Sequence, residues 1–557
     1  MNSIEQVDTI DHVVDNGMDM FNKFIERSCM EKKSYQYDGV KWLLQNELSK
    51  GLPFGIRGGF VADEMGLGKT IMMIGLCIAN FMYNRTTLIV LPPVLIEQWF
   101  AQIYKTTGHK CIVYHGENKK IYEKKALEGV VDIFAGAVIV LCSYDAISIF
   151  REKNGKRDEQ KHRDRDRERD WDWDRDRDSV SKSEASKNKH TKKVFENSLL
   201  HRIKWGRVIF DEAHHLRNKN TSRYLGAKML AADVKWLVSG TPVQNRKQDF
   251  YALCSLINLP ASYYTDPANF NDIGRKFILK RTKKQVGIDL VDPIQTKNIV
   301  PWKSEAEKKF SEEIHSLIAF TNVKLNEQKV LASGYDGDES DSDMGLGGII
   351  NQSLLSLLLR ARQSCIYPKM VNAFNGKEDK DKNKNNNKNE NDNDVVNSSS
   401  KIDSVVDSIM QRANNGNGKL LFCHFKEEMN EIAVRLRAGG VNVGILDGKI
   451  TKNARHKLLS EKKDVLILQI QTGCEGLNLQ DNYSEIYFVS PHWNPYVEDQ
   501  AIARCHRIGQ KKPVFVWRFE MTNFDSCSVE KKTKNLEEYV VDVQNGKRII
   551  VNNLIVE

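Results

Sequence analysis

The chain has 557 residues and a mass of 63.8 kDa, too long for one ordinary domain and suited to three or four of about 150 residues each. Its 83 Lys+Arg against 74 Asp+Glu leave a formal charge of +9 and a pI near 8.8, compatible with a polyanionic partner without requiring one. With 28% charged residues, a mean hydropathy of −0.50, and a longest apolar stretch running only from Ile71 to Tyr83 and broken by Asn80, the sequence offers nothing near the ~20 apolar residues of a membrane-spanning helix.

The opening Met1-Asn2-Ser3-Ile4-Glu5-Gln6 has no basic segment ahead of an apolar core, so no secretory signal is read and an intracellular protein is expected. Ten cysteines are scattered from Cys29 to Cys527, many within apolar runs and none in a Cys-x-x-Cys pair. They read as reduced core thiols, and no structural zinc is expected.

Residues 1–34 form an N-terminal extension. From about Tyr35 to residue 267 short continuous apolar runs end in polar or Gly/Pro-marked turns: Thr87 to Leu91, Val138 to Ser143, Arg207 to Asp211 and Val234 to Gly240. Such runs suit strands buried on both faces, so this stretch predicts a first α/β lobe with a parallel sheet. It is interrupted at 151–193 by a polyampholyte in which Arg151 to Asp178 hold 11 basic and 11 acidic residues, where a nucleic-acid-binding tail would be lopsided. Residues 268–415 read as a more helical protrusion and linker, with an apolar cluster from Leu354 to Leu359. Within it lie an acidic tract (Tyr335 to Asp343) and a Lys/Asn/Asp tract (Asn375 to Ser400), both too poor in apolar surface to order themselves. A second lobe at 416–525 repeats the pattern with Lys419 to Cys423, Val441 to Leu446, Asp464 to Leu468, Glu485 to Val489 and Val514 to Trp517, and residues 526–557 follow as a C-terminal extension. The predicted class is α/β, two RecA-like parallel-sheet lobes with helical insertions and disordered loops.

Three segments carry chemistry. Asp63-Glu64-Met65-Gly66-Leu67-Gly68-Lys69-Thr70, followed by the apolar Ile71-Met72-Met73-Ile74, reads as a phosphate loop. Its glycines let backbone N–H groups approach phosphate oxygens, Lys69 reaches the β/γ-phosphates and Thr70 can ligate Mg²⁺. Asp63 stands where the strict G-x-x-x-x-G-K-T pattern has its first glycine. Downstream, the strand Arg207 to Phe210 runs into Asp211-Glu212-Ala213-His214: a carboxylate at a strand's end can hold Mg²⁺ and the next can polarise water, although a lone Asp-Glu would more readily read as a helix cap. Third, Arg504 and Arg507, three apart, would share one helical face and could clamp a γ-phosphate, whereas a short basic helix by itself is commonly just a solvated face.

Taken in order from about Tyr35 to Phe519, these segments resemble the Swi/Snf-type family of helicase-like, DNA-dependent ATPases within helicase superfamily two. Tyr35-Gln36-Tyr37-Asp38 is similar to the family's adenine-side element, which implies that Gln36 reads the base. Asp63 to Thr70 resembles motif I, Leu91 to Trp99 motif Ia, Asp211 to His214 the DEAH form of motif II, and Ser239-Gly240-Thr241-Pro242-Val243-Gln244-Asn245 motif III. Leu279-Lys280-Arg281-Thr282-Lys283 and Leu358 to Cys365 are similar to elements flanking the family's helical protrusion. Leu446-Asp447-Gly448, Trp493-Asn494-Pro495 and the segment Gln500 to Gln510 complete the set. The resemblance implies ATP and Mg²⁺ as cofactors, held by Gln36, Asp63, Glu64, Met65, Gly66, Leu67, Gly68, Lys69 and Thr70, with the metal on Thr70 and Asp211. It implies catalytic roles for Lys69, Asp211, Glu212, Gln500, Arg504 and Arg507, and duplex DNA, read without sequence preference, as partner.

One departure stands out. The family's motif V usually carries a Gly pair, whereas Thr472-Gly473-Cys474-Glu475-Gly476 has Cys474 at the second position and adds Glu475. With 34 residues before Tyr35 and 38 after Phe519, too few for most independent domains, no bromodomain, chromodomain, SANT or RING module is expected. The expectation is an ATP-driven DNA translocase that displaces or remodels proteins on duplex DNA in transcription, repair or chromatin processes, with a strand-separating helicase and a non-catalytic DNA-binding scaffold as alternatives. Lys283, Lys284, Arg246 and Lys247 are candidate phosphate contacts, each as readily an ordinary solvated cation. Asn/Lys/Ile-rich usage with asparagine tracts points to an AT-rich genome, such as that of a large DNA virus or a protist; the expected location is the nucleus for a cellular protein and a viral factory or virion for a viral one.

Overall fold

The computed structural model describes residues 10–49, 52–84, 86–128, 134, 136–151, 195–196, 198–240, 247–318, 346–371, 399–448, 450–473, 476–524 and 534–554. The acidic tract and nearly all of the polyampholyte and of the Lys/Asn/Asp tract lie outside them, as do residues 241–246, Cys474 and Glu475. Among the described residues no helix is long and apolar enough to cross a membrane. The chain forms two compact units, residues 1–288 with 551–557, and 289–550.

In the first unit the strands are β1 (Gly58–Val61), β2 (Thr87–Leu91), β3 (Ile112–Tyr114), β4 (Ile139–Ser143), β7 (Trp205–Asp211), β8 (Ala232–Val238) and β9 (Ile278–Leu279), while β5 (Phe150–Arg151) and β6 (Phe195–Glu196) make a separate antiparallel pair. The seven-stranded sheet has the order β3-β4-β2-β7-β8-β1-β9 and every pairing is parallel. Strand alternation divides its side chains between two cores: Phe60, Leu88, Val90, Val208 and Phe210 on one face, Val61, Ile89, Leu91, Ile209 and Trp236 on the other. Helices Ile10–Arg27, Ser34–Leu48, Lys69–Ala79 and Ile96–Thr107 cover the second face, and Ser222–Met229, Lys247–Leu256 and Phe270–Phe277 the first. β1 escapes a sequence reading because it is four residues long and half glycine. A Cβ on Gly58 would fall 2.1 Å from the Lys235 carbonyl oxygen, so only glycine lets β1 lie this close to β8.

Below this sheet sits a charged cluster closed to solvent. Glu47, on the helix Ser34–Leu48, accepts from Arg207 Nε at 2.5 Å and Arg207 Nη2, from Trp236 Nε1 at 2.8 Å and from Asn80 Nδ2 at 2.6 Å. Arg207 Nη1 donates on to Thr87 Oγ1 at 3.0 Å. The helix that carries Gln36 at one end is thereby fastened through Glu47 to β2, β7 and β8.

The second unit has β10 (Ile294–Val300), β11 (Gly418–Cys423), β12 (Val443–Leu446), β13 (Val465–Gln469), β14 (Tyr483–Phe488) and β15 (Phe515–Met521), all parallel in the order β10-β15-β14-β11-β13-β12. Both units are therefore parallel-sheet α/β lobes, as expected. The boundary falls elsewhere than the predicted 268–415 linker: residues 268–288 remain with the first unit, and β10 is an edge strand of the second sheet. β10 reads poorly as a strand because only Val300 within it is buried. The extension beyond residue 525 supplies the helix Leu536–Leu554, whose Glu537 takes the buried ammonium of Lys401 and the backbone N–H of Met521 at 2.8 Å.

Candidate nucleotide site

Register alone assembles one side of the site. Asp211 at the end of β7 pairs with Val238, and Val61 at the end of β1 pairs with the same Val238, so the three strands stop at one level. The segments that follow, Asp63 to Thr70, Glu212 and Ser239-Gly240, thus emerge together along the carboxyl edge of the sheet, where parallel α/β sheets bind ligands.

The loop turns through Gly66 (φ +93°) and Gly68 (φ +81°), a left-handed region that favours glycine, and Gly68 opens the helix Lys69–Ala79. Gln36 Nε2 donates to Leu67 O at 3.2 Å and presses so near the loop that a Cβ on Gly68 would fall 2.4 Å from it. Lys69 Nζ donates to Asp63 O at 2.7 Å and Glu64 O at 3.3 Å, which places its ammonium inside the loop. A Cβ on Gly240 would lie 3.4 Å from the same Nζ. Thr70 is the second residue of the helix. The cradle fits a nucleotide phosphate: positive-φ glycines, an inward ammonium and a helix N-terminus converge there.

Asp63 and Glu64, read from the sequence as part of the phosphate cradle, turn their carboxylates away from it. Asp63, fully buried, accepts from Arg281 Nε at 3.1 Å and Nη2 at 2.6 Å, and Glu64 takes Lys283 Nζ at 2.9 Å and the Lys283 N–H at 2.7 Å. What these two residues give Lys69 is their backbone oxygens.

Asp211 is nearly buried. Its Oδ2 accepts from Trp99 Nε1 at 2.7 Å, its Oδ1 from the Glu212 N–H at 3.0 Å, and its carbonyl from Tyr144 OH at 2.6 Å. Burial, then the charge of Glu212, holds its carboxyl above the usual carboxylate range, while the Trp99 donor and Lys69 pull the other way. Glu212 has φ +51° and ψ +50°, a left-handed conformation costing a non-glycine residue about 1–3 kcal/mol, and such strain collects at functional positions. The roles of Trp99 and Arg281 are missed by sequence reasoning; the one available hint is that a buried indole N–H needs an acceptor.

In the second unit Gln500 is buried on the helix Pro495–Ile502, whose first turn is capped by the Asn494 side chain at 3.2 Å from the Tyr496 N–H. The expected helical face for Arg504 and Arg507 is corrected: the helix ends at Ile502 and the chain continues in turns to Gly509 (φ +96°). Fully buried Cys505 draws the backbone inward, and Gln510 Nε2 ties it down through Gln480 O and Tyr483 O at 3.0 Å each and Cys505 O at 3.2 Å. The turns nonetheless bring both guanidinium groups to one segment. Arg504 Nη1 donates to Leu477 O at 3.4 Å, and Arg507 Nη1 to Asn478 Oδ1. Burial, with Arg504 nearby, lowers the pKa of Arg507. Among the described residues no group of three or more His, Cys, Asp or Glu could hold a metal.

A parallel sheet with a phosphate loop and paired carboxylates on its carboxyl edge, joined in one chain to a second such sheet carrying an arginine pair, defines a helicase-like ATP hydrolase. The chain belongs to the SNF2 family: the SNF2-related domain matches residues 35–370, and the helicase conserved C-terminal domain matches 400–509. It is 24% identical over 538 residues to the "Probable global transactivator" of Orgyia pseudotsugata multicapsid polyhedrosis virus, covering 93% of this chain and 90% of that protein. It is 25% identical over 558 residues to human "Chromodomain-helicase-DNA-binding protein 6", covering 95% of this chain but only 18% of that much longer one. Among solved structures, the Sulfolobus solfataricus SWI2/SNF2 ATPase core in complex with dsDNA is similar at 20% identity and a TM-score of 0.35, over 94% of this chain and 93% of that one.

Proposed function

We propose that this protein is a DNA-stimulated ATPase that moves along duplex DNA and displaces or remodels proteins bound there. The observation that carries the reading is the shared register of β1, β7 and β8, which sets Lys69, Asp211, Glu212 and Gly240 along one edge. Lys69 exchanges the Asp63 and Glu64 carbonyls for β/γ-phosphate oxygens, and Gln36, already against the loop, reads the adenine. Thr70 and Asp211 offer the hard oxygen donors that suit Mg²⁺, which when bound neutralises phosphate charge. Glu212, held in its strained turn, orients and deprotonates the attacking water. Arg504 and Arg507 neutralise the charge that builds on the transferring phosphoryl group, the part arginine fingers play elsewhere. The DNA-binding named in the human relative's title and the SNF2-related match support DNA as the track.

Steady-state hydrolysis with no nucleic acid, single-stranded DNA, duplex DNA and RNA tests this, with Lys69→Ala as control and displacement of a triplex strand as the readout of movement. Duplex stimulation lost in Lys69→Ala, together with triplex displacement, is expected. Preferential stimulation by single strands or RNA would replace the translocase with a strand-separating helicase. Duplex binding without hydrolysis would leave a scaffold.

A further inference from the structure

The sheet's edge holds more than a ninth-hour strand. β9 pairs with β1 through Val61 and Leu279, and the pairing runs on past both strands: Ala62 N donates to Leu279 O at 2.8 Å and Glu64 N to Arg281 O at 2.9 Å. Residues 278–283 are thus a strap laid along the entry to the phosphate loop. Both loop carboxylates are engaged by it, Asp63 by Arg281 and Glu64 by Lys283.

Arg281 does more than neutralise Asp63. Besides the two-pronged bond to that carboxylate, its Nη1 donates to Tyr35 O at 2.5 Å, its Nη2 meets Met72 Sδ at 3.5 Å, and the guanidinium stands 6.0 Å from the centre of the Tyr35 ring. Tyr35 immediately precedes Gln36, and Met72 lies in the first turn of the helix that Lys69 opens. Space for the group is kept by Gly39, where a Cβ would fall 2.7 Å from Arg281 Nη2 and 2.7 Å from Met72 Sδ. One planar fork with five donors therefore joins three pieces: the first residue of the loop, the turn presenting Gln36 and the helix behind Lys69.

We propose that Arg281 is a positioning residue for ATP: acting through Asp63 and Tyr35, it holds the phosphate loop and Gln36 in their binding arrangement before nucleotide arrives. This rests on the ATP-site reading above. It also gives a reason for an aspartate where a strict phosphate loop has glycine, since the side chain at that position is the loop's handle. Arg281 acts through other groups rather than on the reacting atoms, so its loss weakens nucleotide binding far more than it slows turnover at saturation.

The test uses the full chain and a fluorescent ADP analogue, with kcat and KM for ATP measured in parallel. Arg281→Lys keeps the charge and loses the fork; Arg281→Met with Asp63→Asn removes both charges and leaves no buried ion unpaired, so it guards against a variant that simply fails to fold. Both are expected to bind the analogue at least tenfold more weakly and to raise KM by a similar factor, with kcat changed less than threefold. If the double variant binds as tightly as the wild type, Arg281 serves only to balance a buried charge and the proposal is overturned. It is overturned equally if kcat falls while KM holds. A wild type that binds no analogue would instead bring down the ATP-site reading, and this inference with it.

Discussion

Glu47→Gln probes the cluster beneath the first sheet. The wild-type carboxylate takes four donors in a site closed to water, two of them from Arg207, whose side chain is also fully buried. Glutamine keeps one acceptor oxygen, turns an amide N–H₂ toward donors it cannot satisfy, and leaves the guanidinium without a counter-charge. Breaking a buried pair in this way costs about 3–5 kcal/mol. For a unit of this size each kcal/mol moves the melting midpoint by roughly 2–4 °C, so a drop of roughly 6–20 °C is expected by differential scanning fluorimetry. Hydrogen exchange localises the loss: the amides of Trp205–Asp211 and Ala232–Val238 should lose protection while β11 and β14 in the other unit keep theirs. Glu47→Leu combined with Arg207→Met removes both charges and should recover most of the midpoint, because apolar replacement of a buried pair is often neutral. The reasoning is refuted if Glu47→Gln shifts the midpoint by less than about 2 °C, or if the double variant melts no higher than the single.

The second unit should weaken in acid. Burial holds His315 down to about 4 and His492 down to about 3, and burial and then the charge of Arg362 drive His424 well below its ordinary value, so all three stay neutral in the fold but take up protons below about 6.5 once unfolded. Their stabilisation is present above pH 6.5 and lost as pH falls toward 4, at ~1.4 kcal/mol per pH unit for each. Glu428, which burial pushes up to about 7, works in the opposite sense, favouring the fold below 4.5 and less so as pH rises toward 7. Urea titrations between pH 7 and 4 should show this slope, shallower in His492→Asn; an unchanged slope in that variant would contradict the assignment. Trp99→Phe removes a donor to Asp211 worth ~1.5–3 kcal/mol to the charged form and should carry the acidic limb of the kcat/KM profile upward by about one to two pH units, against an unshifted limb if Trp99 only fills space. Arg507→Ala should cut hydrolysis by ~10³-fold or more while leaving binding of an ADP analogue near wild type, and a parallel loss of binding would assign the residue to ground-state contacts.

What could be read from the sequence follows physical rules at particular residues. β2, β7, β8, β11 and β13 each hold a stretch buried on both faces, which writes itself as three or four consecutive apolar residues. β1 is too short and too rich in glycine to register, and β10 is an edge strand whose Gln295, Thr296 and Lys297 are exposed to solvent. Lys69 and Asp211 stand in local patterns whose spacing is itself the chemistry. Arg281 and Trp99 act across 218 and 112 residues of chain, and no periodicity connects them to Asp63 and Asp211. The arginine pair fared in between: spacing placed Arg504 and Arg507 together, while a buried cysteine and a glutamine at the next turn decided that they sit on turns and not on a helix.

The strand order also dictates a timetable. β1 is made early, yet both of its sheet neighbours, β8 and β9, come far later in the chain. At roughly 5–20 residues per second, on the order of 10–40 s pass between the emergence of Val61 and that of Leu279 from a ribosome. Until β8 is made the phosphate loop has a flank on neither side, and throughout the whole interval it lacks β9 and Arg281. A nascent chain arrested before residue 278 should therefore hold a complete nucleotide-binding motif and bind no nucleotide, because the motif becomes a site only when the last edge strand arrives.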